Sequence, residues 1–343
     1  MTKKSRLNLV LVFFLLIVFV GLYISCETEK STLPKKEEAN KQVTVESMSV
    51  RLKVGYQRIT PNLPFYTALE EKLFEKRNLN VEAISFNTSN ELAEALITKR
   101  VDFTTVTALS VLQSLEAASP GRLKIYQINF IPKNDPNDYL LVKKGSAIKN
   151  IDGLKGKKIA LYPGSNFNVW AKLIFGEYFG FGDQLITVSL PPQIHAQSLA
   201  GGTVDALYCL EPTATIVVEK GIGEILDVGL VCKYIFDPFP VTGNAVLTEF
   251  AQNNPETTKK FCDAMFEAMK MVGEGPQKYR HYLTKYCKIP ENIASKVKLG
   301  HGKPSNEVKI EELQKTVEIY MKHGLLKNNI DMSKMILYPP SKQ

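Results

Sequence analysis

A polar turn in the middle of this sequence is the first place where a ligand could be bound. Residues 159–162 form an apolar run of strand length, and Gly164, Ser165 and Asn166 come shortly after it. Residues 167–179 continue with helical spacing, so Ser165 or Asn166 can cap a helix there. A strand that turns sharply into a helix directs backbone N–H groups toward one spot, which suits an anion or a polar ligand. Plain helix capping is the alternative for these three residues.

A second strand-like segment, residues 204–208, also ends in polar groups. Tyr208 closes the segment, and Glu211 follows just before a proline that interrupts strand pairing. In an open α/β sheet, ligands bind beyond the carboxyl ends of the strands, so we expect Tyr208 and Glu211 to line a cleft together with the Gly164 turn. Glu211 could accept a hydrogen bond from an amine or a ring N–H. The alternative for Glu211 is a solvated or locally paired carboxylate.

The first third of the chain has a matching set of element ends. Residues 51–56 and 101–106 are predicted strands, and residues 65–77 are a predicted helix. We expect polar and aromatic side chains at these ends to form the opposite wall of the cleft. These candidates are Tyr56, Gln57, Phe65, Tyr66, Thr105 and Thr107. For Thr105 and Thr107, ordinary capping of the next helix is the alternative.

The two sets of strands share a short sequence repeat. Leu96 is followed five residues later by Val101-Asp102, and Leu199 is followed five residues later by Val204-Asp205. A capped helix is predicted before each copy. Two similar βαβ units, one in each of two lobes, explain the repeat, and some 300 residues exceed what a single core accommodates well.

The phrases DGLKGKKIA…PGS, LPP, LAGGTVDA and EP, in this order, resemble the solute-binding proteins of the nitrate/sulfonate/taurine and thiamine-pyrimidine-precursor group of ABC importers. The resemblance covers about residues 50–275. It implies the α/β type II periplasmic-binding-protein fold, two lobes with a ligand cleft between them. It also implies capture of a small solute, such as a sulfonate, nitrate or a pyrimidine or other heteroaromatic compound, for delivery to a permease and its ATPase. The sequence departs from the pyrimidine-precursor branch at Asn62-Leu63, where that branch tends to have a histidine.

The lobe limits follow from two predicted crossings, near residues 138–142 and 237–246. Lobe 1 is expected to comprise residues 50–138 and 242–343, and lobe 2 residues 139–241. Prolines and Gly243 in the second crossing suit a hinge. Trp170 has helical spacing from Leu173 and Ile174, which favours core packing, although its position near Ser165 also allows stacking on a ligand.

Catalysis is not expected, because no nucleophile has a base at a recognisable spacing. The four histidines are scattered and the cysteines form no CxxC pair, so neither a metal site nor a cofactor is predicted. A bridge between Cys262 and Cys287 is conceivable, but the sequence does not settle the pairing of Cys209, Cys232, Cys262 and Cys287. The alternative function is an enzyme of the same fold, of the pyrimidine-synthesis or menaquinone-pathway type.

The N-terminus predicts export. Residues 1–25 combine a basic start with an apolar run, as a signal peptide does, and Ser25-Cys26 resembles the end of a lipobox despite Tyr23. Residues 26–49 are predicted to be a flexible tether. We therefore expect a monomeric lipoprotein, acylated at Cys26 and held at the cell membrane facing the periplasm or the cell exterior. An uncleaved N-terminal anchor is the alternative. The net charge of +8 has no dense cluster behind it, so nucleic-acid binding is not expected.

Overall fold

A computed structural model of the chain describes residues 49–338. The predicted signal peptide, Cys26 and nearly all of the predicted tether lie outside the described residues. The described part contains strands that pair into two sheets. In chain order they are β1 (Val50–Gln57), β2 (Leu79–Phe86), β3 (Phe103–Ala108), β4 (Leu123–Ile131), β5 (Asp138–Lys143), β6 (Lys158–Leu161), β7 (Ile186–Ser189), β8 (Ala206–Leu210), β9 (Gly223–Val228), β10 (Phe239–Leu247) and β11 (His301–Pro304).

The α-helices fill the connections between strands and the C-terminal part. They are α1 (Leu63–Glu70), α2 (Ser89–Ile97), α3 (Leu109–Ala118), α4 (Ser165–Ala171), α5 (Pro192–Ala200), α6 (Thr213–Glu219), α7 (Leu230–Tyr234), α8 (Thr248–Asn253), α9 (Pro255–Glu274), α10 (Pro276–Tyr279), α11 (His281–Cys287), α12 (Glu291–Ala294), α13 (Ile310–Lys322) and α14 (Met332–Met335). No helix among residues 49–338 combines the length and apolar character needed to cross a bilayer.

Five strands of the larger sheet, β2-β1-β3-β10-β4, are arranged like the five strands of the smaller sheet, β7-β6-β8-β5-β9. The six-stranded sheet runs β11-β4-β10-β3-β1-β2, and the five-stranded sheet runs β7-β6-β8-β5-β9. In each sheet, three parallel strands lead from an edge to the centre. The strand that follows a crossing between the sheets, β10 in the larger and β5 in the smaller, pairs antiparallel with the innermost of these three. We call the part built on the six-stranded sheet lobe 1 and the part built on the five-stranded sheet lobe 2. The chain passes between them after β4 and after β9.

The predicted repeat proves to be a structural one. The carboxylate of Asp102 accepts a hydrogen bond from the backbone N–H of Lys53 at 2.8 Å, and the Asp102 N–H donates to the Lys53 carbonyl. Asp205 makes the same pair of bonds with Lys158, again with 2.8 Å to the carboxylate. Each aspartate therefore ties the start of the third strand of its lobe to the first.

The predicted limits of the lobes fall close to these crossings. The first, between residues 138 and 139, lies at the start of β5. The second, between residues 241 and 242, lies inside β10, which pairs with β4 from Phe239 onward. Residues 239–241 are thus part of a strand of the six-stranded sheet, and the lobe limits stay a prediction.

Two predicted helices end differently in the structure. The helix predicted over residues 65–77 ends at Glu70, because Lys72 adopts a left-handed conformation with φ of +57°. The expected left-handed turn at Asn78 is confirmed, also at +57°. The helix predicted over residues 167–179 starts at Ser165 as α4 and widens into a π-helix at Lys172–Tyr178.

Helix α13 joins the two lobes behind the crossings. Its apolar face buries Leu313, Val317 and Tyr320 at helical spacing. The Trp170 indole N–H of lobe 2 donates to the Tyr320 hydroxyl at 3.1 Å, and Trp170 is buried, as core packing predicted. One turn earlier on the same helix face, Thr316 accepts from Gln113 of lobe 1 at 2.8 Å. Core packing is thus continuous from one lobe to the other.

The four cysteines in the described part are free thiols, so the conceivable bridge between Cys262 and Cys287 is not formed. Each of these two thiols has its own position in the core of lobe 1. Cys262 is fully buried in the core of lobe 1, while the Cys287 sulfur lies 3.8 Å from the Tyr66 hydroxyl oxygen.

Candidate functional site

The carboxyl ends of β1 and β3 meet at the first residue of α2. The Ser89 hydroxyl oxygen accepts from the Gln57 side-chain amide at 2.9 Å and from the Ala108 N–H at 3.0 Å. A hydroxyl has two acceptor positions and one donor proton, so these two bonds leave Ser89 available as a donor. We call Gln57, Ser89 and Ala108 the strand-end cluster.

Helix α2 begins beside this cluster with a capping box. The Thr88 hydroxyl accepts from the Glu91 N–H at 3.1 Å, and the Glu91 carboxylate accepts from the Asn87 N–H at 3.0 Å. The first N–H groups of a helix have no carbonyl partner within it. The start of α2 therefore presents donors on the side where β1 and β3 end.

Arg58 adds a positive charge directly after β1. Its guanidinium lies 3.4 Å from the Ser85 hydroxyl oxygen at the end of β2, and the residue is exposed. No carboxylate among residues 49–338 lies within salt-bridge distance of it. A solvent-facing guanidinium without a carboxylate partner is a ready partner for an anionic oxygen.

The strand ends of lobe 2 present the predicted turn. Gly164 has a φ of +147°, and a Cβ atom there would lie 2.7 Å from the Asn166 side-chain oxygen, so glycine is required. Ser165 is exposed at the start of α4, whereas Asn166 is largely buried. The Tyr162 hydroxyl shares a 2.6 Å hydrogen bond with Thr213 and donates to the Leu210 carbonyl at 3.2 Å. These bonds fix the ends of β6 and β8 relative to each other.

One segment of lobe 1, residues 296–301, contacts the strand ends of both lobes. The Lys298 N–H donates to Glu211 of lobe 2 at 3.4 Å, and the Lys296 ammonium lies 2.5 Å from a carboxylate oxygen of Glu219. On its other side, a Cβ atom on Gly300 would lie 3.1 Å from Pro61, which follows β1. The carboxyl ends of β1 and β8 are thus neighbours across the boundary between the lobes.

Glu211 uses its carboxylate within the protein. It accepts from the N–H of Thr215 at 3.2 Å and from the Thr215 hydroxyl at 2.9 Å, which caps α6, in addition to the Lys298 N–H. Burial raises the pKa of this carboxyl group, although these donors act in the opposite direction. The Glu211 carboxylate is thus locally paired, and its contact with a ligand stays a prediction.

Several predicted site residues lie inside the core. Tyr66 is fully buried; its ring stacks on Tyr286 with centroids 4.3 Å apart, and its hydroxyl lies 3.0 Å from the Gln57 carbonyl oxygen. The Tyr208 hydroxyl is directed to Asp138 at 3.2 Å. The remaining buried candidates are Tyr56, Phe65, Thr105 and Thr107. These side chains build the walls behind the strand ends, and direct contact with a ligand stays a prediction for them.

Three of the predicted site residues are exposed or half-buried. They are Gln57, Gly164 and Ser165. Sequence reasoning missed Arg58 and Ser89, which lie beside Gln57. Two signals could have found them: Arg58 is a lone cation directly after a predicted strand, and Ser89 is a hydroxyl residue within a polar run that precedes a helical segment.

Two side chains with potential for catalysis, Cys209 and His195, are buried. Burial raises the pKa of the Cys209 thiol well above its ordinary value, which disfavours the reactive thiolate. His195 is fully buried against the Leu190 carbonyl at 2.9 Å, and burial lowers its pKa. No group of three potential metal ligands occurs within residues 49–338.

The chain is similar to proteins of one transport group. A family model described as the NMT1-like family matches residues 46–287. A protein of Bacillus subtilis (strain 168) named "Putative aliphatic sulfonates-binding protein" is 24% identical over 274 residues, which is 78% of this chain and 79% of that protein.

Two solved structures are similar to this chain in fold. The periplasmic aliphatic sulphonate binding protein SsuA of Escherichia coli has a TM-score of 0.70 at 19% identity, with 84% of this chain and 97% of that chain covered. The periplasmic nitrate-binding protein NrtA of Synechocystis PCC 6803 has a TM-score of 0.64 at 15% identity, with 82% and 83% covered. The predicted periplasmic-binding-protein fold is confirmed.

Proposed function

The chain belongs to the NMT1-like family, and on that premise we propose that it is the extracytoplasmic solute-binding protein of an ABC importer. It captures a small solute between its lobes and hands it unchanged to a permease driven by an ATPase. The observation that carries this proposal is the convergence of the strand ends: β1 and β8, one from each lobe, approach the same segment, residues 296–301. The names of its relatives support the proposal.

The solute carries an anionic group with oxygen acceptors. Ser89 is committed as a donor, Arg58 offers a guanidinium without a carboxylate partner among the described residues, and Glu211 is already paired. At the strand ends of lobe 1, the polar groups left available are therefore mainly hydrogen-bond donors. Such a site favours a sulfonate or a similar oxyanion over an amine. The Ser165 hydroxyl supplies a contact from lobe 2.

Tethering completes the proposal. The basic start, the apolar run and Ser25-Cys26 support cleavage before Cys26 and acylation of its sulfur, which hold the protein at the membrane outside the cytoplasm. Cells fed a fatty-acid probe should label the wild-type protein and not the Cys26→Ser variant. Equal labelling of both, or an unlabelled protein that retains residues 1–25, would contradict lipidation and favour the uncleaved anchor.

The solute-binding proposal is tested by two measurements on the purified protein without residues 1–25. Native mass spectrometry should reveal a retained small molecule. Titration calorimetry against methanesulfonate, ethanesulfonate, taurine and nitrate, with lysine and putrescine as cationic controls, should show one-to-one binding of at least one anion. Binding of a cation in preference to every anion would contradict the anion assignment. A retained molecule converted on incubation would favour the enzyme alternative.

A further inference from the structure

The pairing of β3 with β10 is interrupted next to the strand-end cluster. Thr107 lies opposite Gly243 and Thr104 lies opposite Ala245, so Thr105 and Val106 together face the single residue Asn244. Such a β-bulge adds one residue to one strand and redirects the chain beyond it. Here the redirected residues are Thr107 and Ala108.

Val106 has an unusual conformation for its type. Its φ is +49°, in the left-handed region, and its side chain is buried. A β-branched residue is disfavoured there, and a bulge of this kind ordinarily has glycine at that position. The conformation must therefore be held by its surroundings.

The side chain of Asn244 holds it. The Asn244 side-chain oxygen accepts from the Val106 N–H at 2.6 Å, which satisfies the donor that the bulge removes from the ladder. The Asn244 amide group in turn donates to Gln127 at 3.0 Å, so its orientation is fixed. Both Asn244 and Gln127 are almost fully buried.

A chain of amides continues from this pair. Gln127 donates to Asn129 at 3.3 Å, and Asn129 donates to the Thr242 hydroxyl at 3.0 Å. Gly302 of β11 closes over the chain, since a Cβ atom there would lie 2.7 Å from the Gln127 amide nitrogen. The amides of Gln127 and Asn129 are confined by this close approach, so the partner of the Asn244 amide group is held in place.

The bulge determines where the end of β3 lies. Two residues after Val106, the Ala108 N–H reaches Ser89 and so completes the strand-end cluster. Between them, the buried Thr107 hydroxyl has no hydrogen-bond partner among the described residues. Buried hydroxyls are normally paired, so a solute atom reaching the end of β3 would find a partner there.

We propose that Asn244 is a positioning residue of the solute site, acting through Val106 to place Thr107, Ala108 and hence the Ser89 donor. It touches no solute itself. The inference rests on the proposed function, because it assigns a role in solute binding to a residue that does not itself contact the solute.

The test compares Asn244→Ala with Gln113→Ala, in which a buried amide bonded to Thr316 is removed elsewhere in lobe 1. Affinity is measured by calorimetry for the tightest-binding anion of the panel above. Asn244→Ala should weaken binding about tenfold, equivalent to ~1.4 kcal/mol, and should speed amide hydrogen exchange in residues 106–108. Gln113→Ala should lower thermal stability and leave the affinity unchanged.

Rescue separates positioning from general damage. Glycine adopts a positive φ at no steric cost, so Val106→Gly combined with Asn244→Ala should recover most of the affinity and fold even if Asn244→Ala alone does not. Unchanged affinity in Asn244→Ala, or an equal loss in Gln113→Ala, would overturn the inference.

If the wild type binds none of the anions, the proposed function fails. Exchange at residues 106–108 in the unliganded variants then still decides whether Asn244 holds the end of β3.

Discussion

At the scale of single residues, the solute site depends on which polar groups are already paired. Ser89 has both acceptor positions occupied, Glu211 caps α6, and Arg58 has only a long contact with Ser85. Chemical type alone would have favoured Glu211 as the group that selects the ligand. In the structure the Glu211 carboxylate is already paired and the groups left available are donors, in keeping with the proposed anionic solute.

Arg58→Gln should weaken binding of a sulfonate about 10- to 100-fold, because a hydrogen bond to a charged group contributes ~1.5–3 kcal/mol. Arg51→Gln is the matched control: it removes the same charge at the opposite end of β1. Calorimetry at two salt concentrations measures the affinity of both variants. The ratio of the wild-type affinity to that of Arg58→Gln should decrease with added salt. Equal affinities in the two variants would mean that Arg58 makes no specific contact.

Asp138 provides a pH test of lobe 2. It is fully buried, it accepts from Tyr208 and from the Val231 N–H, and burial raises its pKa to about 6. Its ordinary pKa is lower, so the unfolded chain loses this proton first, and the contribution of Asp138 to stability falls as the pH rises through about 6.

Relative to Asp138→Asn, the free energy of unfolding of the wild type should therefore fall by about 3 kcal/mol between pH 3.5 and pH 7. Urea denaturation at a series of pH values measures the difference. A constant difference across this range would show that the pKa of Asp138 is the same in the folded and the unfolded protein.

At the scale of elements, the two lobes repeat one construction. Asp102 and Asp205 make the same pair of backbone hydrogen bonds in their lobes. In the sequence this construction is visible as a Leu-x4-Val-Asp repeat. The aspartate must lie at the same distance from the preceding helix in both lobes, because in both it bonds to the same position of the first strand. The repeat thus predicted both the pairing of elements and the number of lobes.

Asp102→Ala and Asp205→Ala should each lower the free energy of unfolding by about 1–2 kcal/mol. Because the sites are far apart, the double variant should lose the sum of the two effects. Asp183→Ala, at an exposed position in a short helical turn, is the control and should change little. Chemical denaturation measures all four proteins. A loss confined to one lobe would contradict the equivalence of the two bonds.

The features missed at this scale depend on backbone conformations that the sequence does not signal. Lys72 and Val106 both have positive φ angles, although their residue types do not favour them. Asn78, in contrast, is a type that tolerates the left-handed region, and its turn was predicted. Similarly, the helical pattern after Ser165 gave no sign that it widens into a π-helix at Lys172. Tertiary contacts decide such cases.

At the scale of the whole molecule, the lobes are linked on two sides. Helix α13 bonds to Trp170 of lobe 2 and to Gln113 of lobe 1, while residues 296–301 contact Glu211 and Glu219. The first link is buried. The second is partly exposed, and exposed ion pairs contribute little, about 0–1 kcal/mol, so it can open and close with the cleft.

Lys296→Glu should favour separation of the lobes in the unliganded protein, because it places two carboxylates together. Small-angle scattering should show a larger radius of gyration for this variant, and the charge swap with Glu219→Lys should restore the wild-type value. A saturating anion should compact the wild type or leave it closed. An unchanged radius in Lys296→Glu would show that this ion pair has no part in closure.

The central claim is that one solute is held by both lobes at once. It is tested most directly by calorimetry of three proteins with the same anion: the wild type, Ser89→Ala from lobe 1 and Ser165→Ala from lobe 2. We predict one-to-one binding in the wild type and a loss of about tenfold or more in each variant, since each removes a donor to a charged group. Undiminished affinity in either variant would place the solute on one lobe alone and contradict the claim.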